Sequence, residues 1–439
     1  MKKFRQYITL SMILACVSTS LQSCLFEEKD YFDQPAAIRL TEDVNHYQKI
    51  LQDAPNGWVL EYNIGEDNPM GVIPVLCRFE AGKVDMSTTY PSSGTKPGDV
   101  YSSLYSIKSE QSTLLSFDTY NPLLHVFGTP GIANPRKPNS TLEGDYEFIL
   151  RSGTAEQVVL EGRKYHNRMV LNRLDKDVDW NVYIRDTRQV EDEAFLSTYK
   201  LMNKDQELAR LKRKNFIFDY TSSEADGSTD NIPFMYTPTG LKLYNPVLVN
   251  GIKAENFKWN KGTLSFDCTD KGAEQVTLTG YYPDGFTPYA DFLGTYTLTV
   301  HLPTIADGNV DWSKTQTMTV KIEQKEVNRS YVMTGANLTM PLPLVYNRGT
   351  GTLSIESVKV GPYSKYYMAI CMAAKTGYYG LGAGSLTAKI AVSEPMTISF
   401  VGSQTDISGF ALVAYEDEGY AKRLGWWDWY GEPVLVKQQ

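Results

Sequence analysis

Cys24 is the residue whose surroundings most clearly prepare it for chemistry. Leu21-Gln22-Ser23-Cys24 places an apolar side chain three positions before a cysteine and a small one directly before it. This is the spacing of a lipobox, in which the processed amino-terminal cysteine carries acyl chains. Ahead of it, Lys2, Lys3 and Arg5 make a positive start, and Tyr7 to Val17 an apolar run broken only by Thr9 and Ser11. Residues 1–23 therefore read as a signal peptide, with an apolar run too short to span a bilayer as a helix. Cys16 is a competing cleavage site, but it would leave a shorter apolar run and put Leu14 where a small residue is usual. Each buried acyl methylene adds about 0.8 kcal/mol, so an anchor at Cys24 holds firmly.

Other reactive constellations are sparse. The four histidines, His46, His125, His166 and His301, show no close pairing, so a zinc site would have to be assembled from distant positions. No GxSxG elbow or P-loop occurs, and Gly380-Leu381-Gly382-Ala383-Gly384-Ser385 lacks the lysine of a phosphate loop. Carboxylate pairs could run glycoside hydrolysis, yet the separation that matters is spatial and 51 acidic residues offer no way to choose a pair. Asp175 to Trp180 and Asp307 to Trp312 set oxygen ligands at alternate positions. Both carry Trp where a calcium loop needs Gly, and Asp186 and Met318 where it needs Glu, so they read as turns. No metal, cofactor or catalytic residue is expected.

The best binding candidate is Gly425-Trp426-Trp427-Asp428-Trp429-Tyr430-Gly431. In an extended chain Trp427 and Trp429 face one way, and Trp426, Asp428 and Tyr430 the other. Trp427 and Trp429 could stack on sugar rings or peptides, with Asp428 accepting a hydroxyl hydrogen bond. The competing reading is a terminal strand completing a core, since each aromatic buries about 150–250 Å².

These residues need a scaffold, and composition describes it. Removing residues 1–23 takes away three positive charges and no negative ones, moving the net charge from −8 to −11. Such a surface repels nucleic acid. The densest basic run, Arg210 to Lys214, reads as the end of a helix, where cations complement the dipole. After processing, Cys77, Cys268 and Cys371 remain, an odd number without CxxC spacing, better read as buried hydrophobes than as a disulfide framework.

Strand signals dominate, as in Trp58 to Tyr62, Tyr296 to Val300 and Met318 to Ile322. The expected fold is mainly β, with antiparallel sandwich or barrel domains and two accessory helices, at about Ala37–Gln52 and Glu191–Lys212. The organisation reads as an acidic tether over 24–35, an N-terminal mostly β domain with both helices over 36–290, and a C-terminal β-sandwich or barrel over 291–439. The turn-rich stretch Tyr281 to Ala290 marks the boundary. Short echoes join distant parts: AEQV at 155 and 273, FLSTYKL at 195 with FLGTYTL at 292, and DKDVDW at 175 with DGNVDW at 307. The second pair argues against a helix at Phe195, because its partner reads as a strand.

Several segments together resemble a known family. They are Tyr31-Phe32-Asp33, a short helix, Asn56 to Tyr62, LSFDTYNPLLHVF from Leu115, Gly144 to Phe148 and Val159 to Lys164. In this order they resemble the Bacteroidota lipoprotein family catalogued as domain of unknown function 4302, most clearly up to about Leu174. The acidic Glu27-Glu28-Lys29-Asp30 beside the lipid resembles the signal that sends such lipoproteins to the cell surface. The resemblance implies a surface lipoprotein of unassigned activity, encoded near outer-membrane nutrient-uptake components.

Three functional readings stay open: a non-catalytic binding or accessory protein for glycans or peptides, a structural component of an outer-membrane complex, and a hydrolase. The first fits the anchor, the acidity and the aromatics. The second fits the same facts without a ligand, and the third would need convergent carboxylates or a clustered metal site.

Overall fold

The computed structural model describes residues 36–65, 70–90, 94–130, 141–221, 229–306, 309–374, 377–378, 380–391 and 394–438. Cys24 and the acidic tether lie outside the described residues. The chain divides into two compact units, one reaching Ile184 and the other holding Arg185–Gln439, with Met70–Val72 grouped with the second. The protein is mainly β, antiparallel throughout, and built as barrels.

The first barrel runs from Trp58–Asn63 to Arg168–Arg173. Eight strands each pair with the next in sequence, and the last returns to the first, with Trp58 opposite Arg173 and Leu60 opposite Leu171. Closure removes the edges that an open sheet would expose. Eight strands leave a lumen about wide enough for side chains to fill. Here Phe79, Tyr105, Phe117 and Phe148 form a chain of mostly edge-on rings. The helix Ala36–Gln52 precedes this barrel and packs on its strands Tyr101–Ser109 and Thr113–Phe117. The expected stripe holds at Tyr47 and Leu51, which are buried, while Ile38 is exposed. Gly153 matters here, because a Cβ at that position would come within 2.7 Å of the Tyr47 ring.

The second barrel spans Thr198–Asn203 to Val276–Gly280 and repeats the same up-and-down order, closing with Leu278 opposite Leu201. Tyr199, Phe218, Phe234, Tyr236 and Phe266 fill its interior. This architecture corrects the helix expected over Glu191–Lys212. The helix is Trp180–Glu193, started by Asp179, whose carboxylate accepts from the Asn181 and Val182 N–H groups. Two strands follow, Thr198–Asn203 and Gln206–Lys214, joined at Lys204, which takes φ 53°. The spacing of Phe195, Tyr199 and Met202 suits a helix, but the chain alternates instead: Ala209 and Leu211 point inward while Arg210 and Lys212 are exposed. Arg210, Lys212 and Lys214 thus share the exposed face of a strand, while Arg213 turns inward and donates to the Tyr236 hydroxyl and the Phe195 carbonyl.

The remaining strands form a ring as well. From Gly294–Ala306 the pairing passes through six further strands to Arg423–Lys437, and Tyr296 to Thr299 pair back with Lys437 to Val434. The other half of Arg423–Lys437 leaves the ring and pairs with Gly409–Tyr415, followed outward by Tyr366–Ala374 and Val358–Tyr363. Its partners change near Glu432, at φ 44°, and Pro433, which has no N–H to donate. Gly409–Tyr415 is buried along its whole length, one face on the ring core and the other on a smaller cluster with Trp429.

All three barrel-like modules begin alike. Trp58 donates its indole N–H to the Leu51 carbonyl, Tyr199 its hydroxyl to Ala194, and Tyr296 its hydroxyl to Phe292. In each case a buried aromatic on the first strand satisfies a carbonyl at the end of the preceding helical turn. The echo FLSTYKL/FLGTYTL marks two of these entries.

Candidate functional site

Within the unit 185–439, the connector after the second barrel and two hairpins of the third module enclose a cavity of about 220 Å³. Phe195, Tyr282, Phe286, Pro288, Tyr289 and Tyr346 wall it, and Asn328 and Arg348 bring polar groups to it. The floor is fixed. The Tyr289 hydroxyl donates between the Glu326 and Ser330 carbonyls, and Tyr346 donates to Thr287 at 2.8 Å. The Tyr289 ring stacks on Tyr331 at 4.3 Å and meets Tyr346 edge-on at 5.3 Å. Burial pushes the Tyr289 hydroxyl up and the Tyr346 hydroxyl to about 12, so both stay neutral donors at ordinary pH.

The outer wall is held by packing. Tyr282 and Phe286 rings lie 4.3 Å apart, and Gly351, at φ 67°, allows Phe286 its place because a Cβ there would fall within 2.6 Å of the ring. The Arg348 guanidinium stacks over Phe195 at 5.2 Å and donates through Nη2 to Asp192 at 2.6 Å. Asp192 also receives Arg329. Burial works against the Asp192 charge, but Arg348 and Arg329 hold its carboxyl below the usual range.

Arg348 is the only charged residue lining the cavity. Burial raises the carboxyls of Asp145 and Asp428, but they lie in different units and are engaged. Asp145 accepts from the Lys164 and Tyr165 N–H groups, and Asp428 from Thr339 and Tyr430. No group of three or more metal-ligating side chains occurs among the described residues. Asp179 is occupied in capping a helix, and Asp311, which lies in the strand Asn309–Glu326 rather than in the expected turn, accepts from the Ser313 N–H and hydroxyl.

The aromatic run near the C-terminus is placed differently from the expected alternation. Pairing passes from Leu412 opposite Asp428 to Val413 opposite Trp426, so Trp427 is the extra residue of a β-bulge. Trp426 and Trp429 then share a face, with ring centroids 5.7 Å apart. Trp429 is 4% exposed and packs edge-on against Trp312. Trp427 is 37% exposed and stands between Tyr363 and Tyr366. Asp428 turns to the opposite face from Trp429, beside Tyr430. The structure thus does not bring Trp427, Asp428 and Trp429 together as one platform, and Trp429 takes the core role.

Sequence reasoning passed over the cavity residues. The signal was present in YYPDGFTPYA, where four aromatic rings crowd a turn segment that was read only as a boundary.

Fold and site together define a chain of antiparallel barrels with an aromatic cavity at a junction. A family model described as "Domain of unknown function (DUF4302)" matches residues 28–261, more than half of the chain, and the protein belongs to that family. A second model, DUF4987, also described as a domain of unknown function, matches residues 269–407. No curated protein matches the chain. Among solved structures, the Helicobacter pylori beta clamp in complex with 5-chloroisatin is 10% identical, with 91% of this chain and 97% of that one covered and a TM-score of 0.09. The same clamp in complex with carprofen is 11% identical, with 90% and 97% covered and a TM-score of 0.09. At that TM-score the likeness carries no argument.

Proposed function

We propose that the protein is a lipid-anchored outer-membrane lipoprotein of Bacteroidota type that faces the cell exterior. It acts without catalysis, as a binding or accessory component for glycans or peptides working beside outer-membrane uptake components. The lipobox at Cys24 supports the anchor, and the acidic tether supports exposure. The observation that carries the binding role is the aromatic cavity, whose tyrosine floor is locked while its rim offers polar groups. Rigid rings present a flat apolar face at little entropic cost, which suits the face of a sugar or a peptide side chain.

A glycan and peptide array probed with the soluble form starting after Cys24 tests the binding role. Binding that falls at least tenfold in Tyr282→Ala and Phe286→Ala supports the site, and binding unaffected by both refutes it. For the anchor, Cys24→Ala should move the protein out of the membrane fraction, and protease added to intact cells should degrade the wild-type chain.

A second reading, as an assembly component, draws on Val358, Tyr363, Leu424, Trp426 and Trp427, all exposed around the open end of the third module's sheet. An array without hits, together with recovery of a stable membrane complex, would favour it.

A further inference from the structure

The cavity's polar groups narrow its ligand class. Nη2 of Arg348 serves Asp192, while Nε and Nη1 donate to no group among the described residues. The Asn328 amide and the Tyr282 hydroxyl, both on exposed residues, are likewise uncommitted there. By contrast, the Tyr289 and Tyr346 hydroxyls are spent on backbone carbonyls. The unsatisfied hydrogen-bonding capacity is therefore gathered at the rim, around one guanidinium. Asp192 is shared with Arg329, which also pairs with Glu326, so Arg348 sits in a network of two cations and two carboxylates and keeps its outward N–H groups open.

Resting on the reading of this cavity as a ligand site, we propose that its ligand is an acidic sugar residue, a pyranose carrying a carboxylate. The ring would lie against Phe286 and Tyr282, the carboxylate would accept from Nη1 of Arg348, and ring hydroxyls would exchange hydrogen bonds with Asn328 and Tyr282. A hydrogen bond from a charged guanidinium to a carboxylate is roughly twice as strong as one between neutral groups. A volume of about 220 Å³ is below the roughly 300–1,000 Å³ of sites for drug-sized ligands, which suits one ring of a longer chain. An aromatic peptide side chain could lie on the same rings, but it would bring no carboxylate to the open N–H groups of Arg348. In a chain this acidic, a cation at the mouth of an aromatic cavity is also the element that admits an anion.

The test compares oligosaccharides of galacturonic, glucuronic and mannuronic acid with their methyl esters, which keep the ring and remove the charge. Calorimetry would use the soluble wild-type chain and the Arg348→Gln, Arg348→Lys and Phe286→Ala variants. At least one acid should bind tenfold or more tighter than its ester, with the gap closing to within twofold in Arg348→Gln and shrinking in 1 M salt. Arg348→Lys should retain part of the preference. The acid and ester comparison on the wild-type chain stands even if a variant misfolds. Equal binding of acid and ester, with both lost in Phe286→Ala, overturns the acidic ligand and leaves the ring-binding site standing. Binding of neutral sugars or peptides alone, or of none of these probes, overturns the proposal, and insensitivity of all binding to Phe286→Ala overturns the site itself.

Discussion

Trp427 and Trp429 lie two positions apart, and a regular strand would give them the same environment. The bulge separates them, so their truncation should have unequal costs. Trp429 is 4% exposed, with Trp312 and Trp426 edge-on at 5.4 and 5.7 Å. Removing a buried indole of this kind costs about 3–5 kcal/mol through lost transfer energy and the cavity left behind. Trp427 is 37% exposed and loses two edge-on contacts, with Tyr366 at 5.4 Å and Tyr363 at 5.9 Å. With solvent able to occupy the space, that amounts to about 1–2 kcal/mol. At about 2–4 °C per kcal/mol for a body of this size, Trp429→Ala should lower the melting temperature of the unit 185–439 by roughly 10 °C and Trp427→Ala by roughly 4 °C. Differential scanning calorimetry of the soluble chain resolves such a difference, and near-ultraviolet circular dichroism reports whether the aromatic cluster persists below the transition. Equal destabilisation by the two variants, or the reverse order, would show that the register at Leu412 and Val413 is wrong.

Three further outcomes follow from the local chemistry. Tyr296→Phe removes the hydroxyl that donates to the Phe292 carbonyl at 2.9 Å. It should cost about 1–2 kcal/mol in urea unfolding without altering the array pattern, since a buried carbonyl loses its partner. Asp85 carries a sign that pH can read. Burial opposes its charge, but Ser102, Lys83 and Arg78 hold its carboxyl at about 2. Against an unfolded value near 3.9, its stabilisation is complete above about pH 4 and lost as pH falls through 2. Asp85→Asn should therefore cost about 1–2 kcal/mol at pH 7, a range discounted for the solvent around Arg78 and Lys83, and almost nothing at pH 2. The thiols Cys77, Cys268 and Cys371 are buried, and burial raises all three, Cys268 to about 11. The native soluble chain should react with a thiol reagent at pH 8 far more slowly than the urea-unfolded chain, in which three thiols should appear.

Local features were legible in the sequence, and features made by closure were not. Period-two alternation identified strands at Trp58, Tyr296 and Met318, and the apolar stripe placed the first helix within one residue of its observed start. Nothing local says that Arg168–Arg173 returns to pair with Trp58–Asn63, so a sandwich and a barrel remained equally good readings. The misplaced helix has a specific cause. Phe195, Tyr199 and Met202 happen to repeat at helical spacing, and only the turn at Lys204 and Asp205 reveals the hairpin. The bulge at Trp427 was hidden for a related reason: an extra residue is defined by the partner strand, here Leu412 and Val413, and not by the strand that carries it. The cavity gathers side chains from residues 195, 282–289, 328 and 346–348, and no periodicity links stretches that far apart.

Where a ligand can act follows from how the barrels are filled. An eight-stranded barrel can hold either its own side chains or one small molecule, and this chain takes the first course. In the second barrel Phe218 stacks on Phe234 at 4.5 Å, with Tyr199, Tyr236 and Phe266 closing around them. Those rings fill the second barrel's interior and confer stability. The proposed ligand site accordingly draws on segments free of the ladder: the stretch entering a barrel at Phe195, the connector Tyr282–Tyr289, and the hairpin ends at Asn328 and Arg348. The ladder constrains these segments only at their ends, so their side chains can change without disturbing the registers that hold each ring closed. The cavity's position at a junction is thus the expected consequence of spending the aromatic residues of the strands on packing. It also predicts that substitution of the exposed Tyr282 alters ligand preference while leaving the unfolding transition nearly unmoved.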